Sequence, residues 1–236
     1  MSGKKPIPIA ELLKHSKVIK VTEDVNAELL ERRQYSPTVC SALSQNFSRL
    51  QPMDEFKFSV DKEAAKQLPD IINNPVQKIE GLKTADAKLS KKYLQKRNIG
   101  IVFSGGPAPG GHNVIAGLYD AVKKANPQSK VYGFLIGPDG IIENETLELN
   151  DDLVDAYRNI GGFTMIKTGR TKIDTPAKME LCRETCKKLD LDALVIVGGD
   201  DSNTNAAFLA QDMFADGVQV IGVPKTIDGD IQVRDD

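Results

Sequence analysis

"ALVIVGGDDSNTNAAFLAQ", residues 193–211, decides the fold. Five apolar residues, Ala193 to Val197, run without alternation up to a glycine pair, the pattern of a strand buried on both faces. Gly198 and Gly199 then turn the chain, two adjacent acids follow, and "NTNAAFLAQ" reads as a helix. Adjacent carboxylates repel and need a cation or solvent to coexist. The same strand–glycine–helix rhythm recurs upstream. "NIGIVFSGG" (98–106) precedes a helix expected over Asn113–Ala125. "KVYGFLIG" (130–137) is a second strand, Pro176–Leu189 is helical, and "VQVIGVPK" (218–225) is a strand after the quoted segment. Strands alternating with helices predict a parallel sheet with right-handed crossovers. The expected class is α/β, a Rossmann-like, mostly parallel sheet flanked by helices.

Residues 1–97 lack this rhythm. Short helical stretches at Ala10–Lys17 and Ala85–Lys96 are broken by Pro37, Pro52, Pro69 and Pro75. A mainly helical N-terminal extension over 1–97, packed on a neighbouring domain or subunit, is expected to precede an α/β domain over 98–236. The extension carries no motif with chemistry.

The 236 residues are 40% hydrophobic and 27% charged, with a formal net charge of −2. That balance supplies no basic field for nucleic acid or an anionic membrane, so any anion site must be local. No apolar run approaches the ~20 residues of a membrane span, and the N-terminus lacks a signal-peptide core. Cys40, Cys182 and Cys186 form no paired framework, as expected for reduced thiols. A soluble, cytoplasmic protein is the expectation.

In open α/β sheets, ligands bind beyond the carboxyl ends of the strands. Three unusual stretches sit there: "SGGPAPGGHN" (104–113), "GGDDSNTN" (198–205) and "PKTIDGD" (224–230). The glycines of the first either bring backbone N–H groups to an anion or serve a tight turn. It is not a Walker loop, which ends in Gly-Lys-Ser/Thr. Asp200 and Asp201 suit a Mg²⁺–phosphate site, or else an acid caps the following helix. In the third stretch, Lys225 offers a point cation and Asp228 a proton acceptor, unless Asp-Gly marks a surface turn. "TGRTK" (168–172) adds Arg170, a fork for a phosphate or a solvated charge.

Together and in this order, GG-x-APGGHN, GGDDSNTNA and PKTIDGD resemble the phosphofructokinase superfamily, and more closely its long, pyrophosphate-dependent branch. The resemblance runs from about residue 98 to 230. It implies that Gly105 and Gly106 lie against the transferred phosphate and that Asp200 is the magnesium-associated acid. It makes Asp228 the base for the sugar 1-hydroxyl, with Thr226, Ile227 and Asp230 as substrate and metal contacts. Arg170 corresponds to the arginine of a Gly-x-Arg stretch, although Gly169 is here directly adjacent. ATP-using relatives have glycine in place of Asp201 and typically in place of Lys225. The resemblance therefore implies that Asp201 fills and charges the space a nucleotide would need, while Lys225 holds compact pyrophosphate. The activity implied is reversible, Mg²⁺-dependent phosphoryl transfer from pyrophosphate to fructose 6-phosphate, in glycolysis or gluconeogenesis. A homo-oligomer, or assembly with a related subunit, is expected.

Two departures bear on this. Pro107 stands where the branch often has Gln and the ATP enzymes have Asp. The sequence also ends at Asp236, where the family continues into a second α/β domain with much of the fructose 6-phosphate site. The expectation is a donor site, the base and part of the acceptor site, without turnover by these residues alone. The rivals are an ATP-dependent 6-phosphofructokinase, a sugar or lipid kinase with a GGD-T/S motif, and a non-catalytic truncated or regulatory subunit.

Overall fold

The computed structural model describes residues 31–32, 34–36, 38–40, 44–53, 55 and 61–227. Its centre is a sheet of five strands: β3 (Asn98–Phe103), β4 (Lys130–Phe134), β5 (Thr146–Glu148), β6 (Ala193–Gly198) and β7 (Gln219–Pro224). The spatial order is β5-β4-β3-β6-β7. β3 pairs in parallel with both β4 and β6, and β6 with β7, while β5 runs antiparallel on β4. The four expected strands are all present. The short edge strand β5 carries too few residues to register as a periodic run.

Period-two alternation sorts the strand side chains between two cores. Ile101, Phe103, Val131, Val195 and Val197 face one side, under α3 (Gly111–Ala125) and α5 (Asp151–Tyr157). Val102, Phe134, Leu194 and Ile196 face the other, under α4 (Pro138–Ile142), α6 (Pro176–Lys188) and α7 (Asp200–Asp212). Ile101, Val102, Phe103, Phe134 and Leu194 are fully buried. Each such side chain contributes about 1.5–3 kcal/mol of transfer free energy. Cys182 and Cys186 are buried free thiols of the second core, and Cys40 is an exposed one.

The described part of the extension is not mainly helical. β1 (Phe47–Pro52) and β2 (Gln77–Leu82) form an antiparallel ribbon beside the short helices α1 (Lys62–Gln67) and α2 (Ala87–Tyr93). The two helices are capped by Asp61 and Asp86 and bury none of their residues. Polar strands such as "FSRLQP" lack the apolar run that marked the sheet strands, so the ribbon left little trace in the sequence. The helix expected at Ala10–Lys17 lies outside the described residues. Side-chain bonds tie this region to the α/β core. Lys124 Nζ donates to the Gln45 carbonyl at 2.9 Å, Asn126 Nδ2 to that of Leu94 at 2.9 Å, and Asp70 N to Gln211 Oε1 at 3.0 Å.

β3 sends its crossover to β4 on one flank, and β6 returns on the other. The carboxyl ends of β3 and β6 therefore border the crevice where the strand order reverses. α3 starts there, and its first turn is seated on the loop 161–165. The His112 N–H donates to the Gly162 carbonyl at 3.0 Å, and His112 Nε2 accepts from Met165 N at 3.0 Å. A Cβ on Gly111 would stand 2.5 Å from the Gly162 oxygen. Burial holds the His112 imidazole below its ordinary value of 6.5, against the opposing Gly161 carbonyl.

His112 binds its proton less readily folded than unfolded, so its stabilising effect is full above pH 6.5 and is lost as pH falls through that value. Urea unfolding between pH 7 and 5.5 should show a falling midpoint. The His112→Gln variant should start about 1–2 kcal/mol less stable and lose most of that slope.

Candidate functional site

The site forms where three chain segments leave the same edge of the sheet. Ser104 ends β3 with its N–H on the Val197 carbonyl at 2.9 Å, and Lys225 follows β7 with its N–H on the Gly198 carbonyl at 2.9 Å. The third segment is the loop of Gly169. The Gly105 N–H donates to the Gly169 carbonyl at 2.8 Å, and Thr168 Oγ1 donates to the Gly105 carbonyl at 2.7 Å. A Cβ on Gly169 would stand 2.3 Å from the Ile136 carbonyl oxygen, a distance no side chain tolerates. The missing side chain lets the loop lie flush and presents Arg170 at the edge.

The glycines of 104–113 divide between the two roles left open by the sequence. Gly110, at φ +88°, caps α3, and Gly111 gives that helix its close seat, so both serve the turn. Gly105, at φ +89°, faces the site. A methyl there would be 3.7 Å from Lys225 Nζ and 3.8 Å from Ser202 Oγ, and one on Gly106 would be 3.4 Å from an Arg170 guanidinium nitrogen. Lys225 Nζ lies 5.8 Å from the centroid of the Phe163 ring. Burial, and then the nearby charge of Arg170, push the Lys225 ammonium below its ordinary value. Neither Arg170 nor Lys225 forms a salt bridge among the described residues. Two cations left in that state above a glycine turn favour an anion.

Asp200 and Asp201 do not cap the helix. The cap of α7 is Gly199, with no side-chain bond, and both acids occupy the first turn. The helix dipole favours each there by about 0.3–1 kcal/mol. Asp201 Oδ1 lies 3.2 Å from Lys172 Nζ, both side chains being largely exposed. Asp200 is exposed and makes no ion pair among the described residues.

The remaining polar residues of "DDSNTN" build the edge. Ser202 Oγ bonds the buried Ser104 Oγ at 2.8 Å, and Asn203 Nδ2 donates to the carbonyls of Gly198 and Gly199, each at 2.8 Å. Asn205 brackets Ile173, accepting its N–H at 3.0 Å and donating to its carbonyl at 2.7 Å. The resulting pocket is lined by Ser104, Gly105, Arg170, Thr171, Lys172, Asp201, Ser202 and Asn205. Of these, Ser104, Thr171, Lys172, Ser202 and Asn205 were not singled out from the sequence. Their signal was only a run of polar residues too long for a cap.

The structure thus brings Gly105, Gly106, Arg170, Asp201 and Lys225 to one edge, with Asp200 in the same helical turn as Asp201. Thr226 is half-buried beside Lys225, and Ile227 is 72% exposed. Asp228 and Asp230 lie outside the described residues. Among those described, no three His, Cys, Asp or Glu side chains cluster as metal ligands. Mg²⁺ needs only one or two carboxylates when phosphate and water complete its shell, and the unpaired Asp200 carboxylate fits that demand. No described helix is long and apolar enough to cross a membrane.

Comparison with known proteins accords with this edge. The phosphofructokinase family model matches residues 98–235. Pyrophosphate–fructose 6-phosphate 1-phosphotransferase of Porphyromonas gingivalis is 57% identical over 138 residues, 57% of this chain and 25% of that protein. Subunit beta 2 of the Arabidopsis thaliana enzyme of that name is 38% identical over 223 residues, covering 94% of this chain and 38% of the relative. This chain therefore spans well under half the length of either. The crystal structure of a pyrophosphate-dependent phosphofructokinase from Nitrosospira multiformis matches 56% of this chain and 34% of its own, at TM-score 0.51 and 24% identity, a likeness of fold. With the family model covering the whole α/β unit that builds the edge, the chain belongs to the phosphofructokinase family.

Proposed function

We propose that this chain carries the phosphate-donor site of a pyrophosphate-dependent 6-phosphofructokinase, which moves a phosphoryl group from pyrophosphate to the 1-hydroxyl of fructose 6-phosphate. The observation that supports it best is the pair of cations, Lys225 and Arg170, that have no carboxylate partner among the described residues and lie beside Gly105 and Gly106. In-line transfer asks a protein mainly for positioning and charge neutralisation. Arg170 and Lys225 neutralise the migrating group, while Gly105 and Gly106 let it approach the backbone. Asp228 takes the proton from the attacking hydroxyl, with Thr226, Ile227 and Asp230 beside it at the substrate. Mg²⁺, with Asp200 as its carboxylate, would supply further neutralisation of phosphate oxygens. The same residues serve the reverse direction.

Asp201 selects the donor. A carboxylate about 4 Å from a nucleotide's inner phosphate repels it by at most ~4 kcal/mol at an effective dielectric of ~20. Lys225 compensates at the compact donor. The plant relative's name as a subunit supports assembly with a second copy or a related chain. A cytoplasmic location suits such a role.

A coupled phosphotransfer assay tests the proposal in the full-length enzyme carrying this chain, with fructose 6-phosphate, Mg²⁺ and either donor. Turnover with pyrophosphate alone is expected, and turnover with ATP alone would overturn the donor assignment. Replacing Asp201 and Lys225 together by glycine should shift kcat/KM toward ATP by about tenfold or more; an unchanged ratio would place selection elsewhere. Asp228→Ala should lower kcat by about 10²–10⁴ with thermal unfolding unaltered. Near wild-type turnover would remove Asp228 from the base role.

A further inference from the structure

Lys172 differs from Arg170 and Lys225, the other two cations of this edge, in being paired among the described residues. Its partner is Asp201, at 3.2 Å. An exposed pair of this kind contributes little to stability, because salt and side-chain entropy cancel most of the attraction. The main chain beneath Lys172 is nevertheless held at several points. Its carbonyl accepts from Lys178 Nζ of α6 at 2.8 Å. The next residue, Ile173, is buried and bracketed by Asn205 of α7. The preceding Thr171 donates to Asp139 Oδ2 of α4 at 2.9 Å. Three helices thus fix where the Lys172 side chain begins, and from there the ammonium reaches Asp201 at the pocket wall. Anchoring of this degree exceeds what a surface ion pair requires.

We infer that Lys172 is a positioning residue of the donor site, whose pairing with Asp201 offsets that carboxylate's charge so that a compact diphosphate can enter beside it. The inference rests on the donor-site reading above. Asp201 repels any anion, the correct donor included, unless a neighbouring cation offsets its charge. Lys172 supplies that offset without occupying the space Asp201 fills. Lys172, alongside Lys225, thus lowers the repulsion that pyrophosphate meets, while the volume and the remaining charge of Asp201 still act against the longer nucleotide.

Calorimetric titration of the full-length enzyme carrying this chain with inorganic pyrophosphate, and separately with ATP, tests the arrangement. Wild type should bind pyrophosphate, and Lys172→Met should bind it about tenfold more weakly, whereas Lys172→Arg should keep the affinity. In an Asp201→Asn background, where the carboxylate charge is gone but its volume remains, Lys172→Met should change the affinity by less than about twofold. An equal loss in both backgrounds would overturn the inference, because Lys172 would then act on the phosphate or on the fold. Unchanged binding by Lys172→Met alone would overturn it as well. Thermal melts of each variant should coincide with wild type; a loss of binding that tracks a loss of melting temperature means a structural role instead. Failure of the wild type to bind pyrophosphate would count against the donor-site reading itself and take the inference with it.

Discussion

One backbone bond, from the Gly105 N–H to the Gly169 carbonyl at 2.8 Å, sets the geometry of the pocket at the carboxyl edge of the sheet. It joins the end of a central strand to a loop sixty-odd residues later in the chain. Only the bare α-carbon of Gly169 lets that loop pass Ile136 and Gly137 closely enough to form it. Arg170, Thr171 and Lys172 follow immediately, so their starting positions are inherited from this contact. Gly105 in turn takes its left-handed conformation there, which holds its backbone toward Lys225 and Ser202. The pocket is thus a consequence of where two main chains can touch.

Charge divides the molecule into scaffold and site. Scaffold guanidinium groups are satisfied by acids. Arg158 grips Asp120 through both terminal nitrogens at 2.8 and 2.9 Å, and Arg183 joins α6 to Asp212 and Asp216 at 2.7 and 2.9 Å. Arg97 does the same for Asp192 at the opposite end of the central strands. At the carboxyl edge of the sheet, Arg170 and Lys225 have no such partners among the described residues, and burial, then the Arg170 charge, disfavours the charged form of Lys225.

How much of this was legible in the sequence follows from the range of each interaction. The sheet strands were readable because residues such as "ALVIVG" and "NIGIVF" are buried on both faces and lack alternation. The β1–β2 ribbon was not, since half-exposed strands such as "QKIEGL" resemble loop in composition. Strand ends identified Gly105, Gly106, Asp201 and Lys225 as neighbours in space, because a parallel sheet brings its carboxyl ends together. The capping reading of Asp200 and Asp201 failed for a local reason, the turn being closed one residue earlier at Gly199. Lys172 and Asn205 were invisible because their meaning lies in partners on other segments, thirty or so residues away, and side-chain reach is not encoded in local pattern.

Asn203 and Gly222 form an interlock with a consequence for how this edge can vary over evolutionary time. Asn203 stitches the glycine turn by donating to two successive carbonyls, and its own amide oxygen sits 2.3 Å from where a Cβ on Gly222 would be. The two positions are coupled, because any side chain at 222 displaces the stitch. A side chain at 222 calls for a compensating change at 203, with a slackened turn beside the acids if only one is made. The last strand of the sheet and the first turn of the helix behind the pocket are thereby sterically coupled, although neither residue lines the pocket itself.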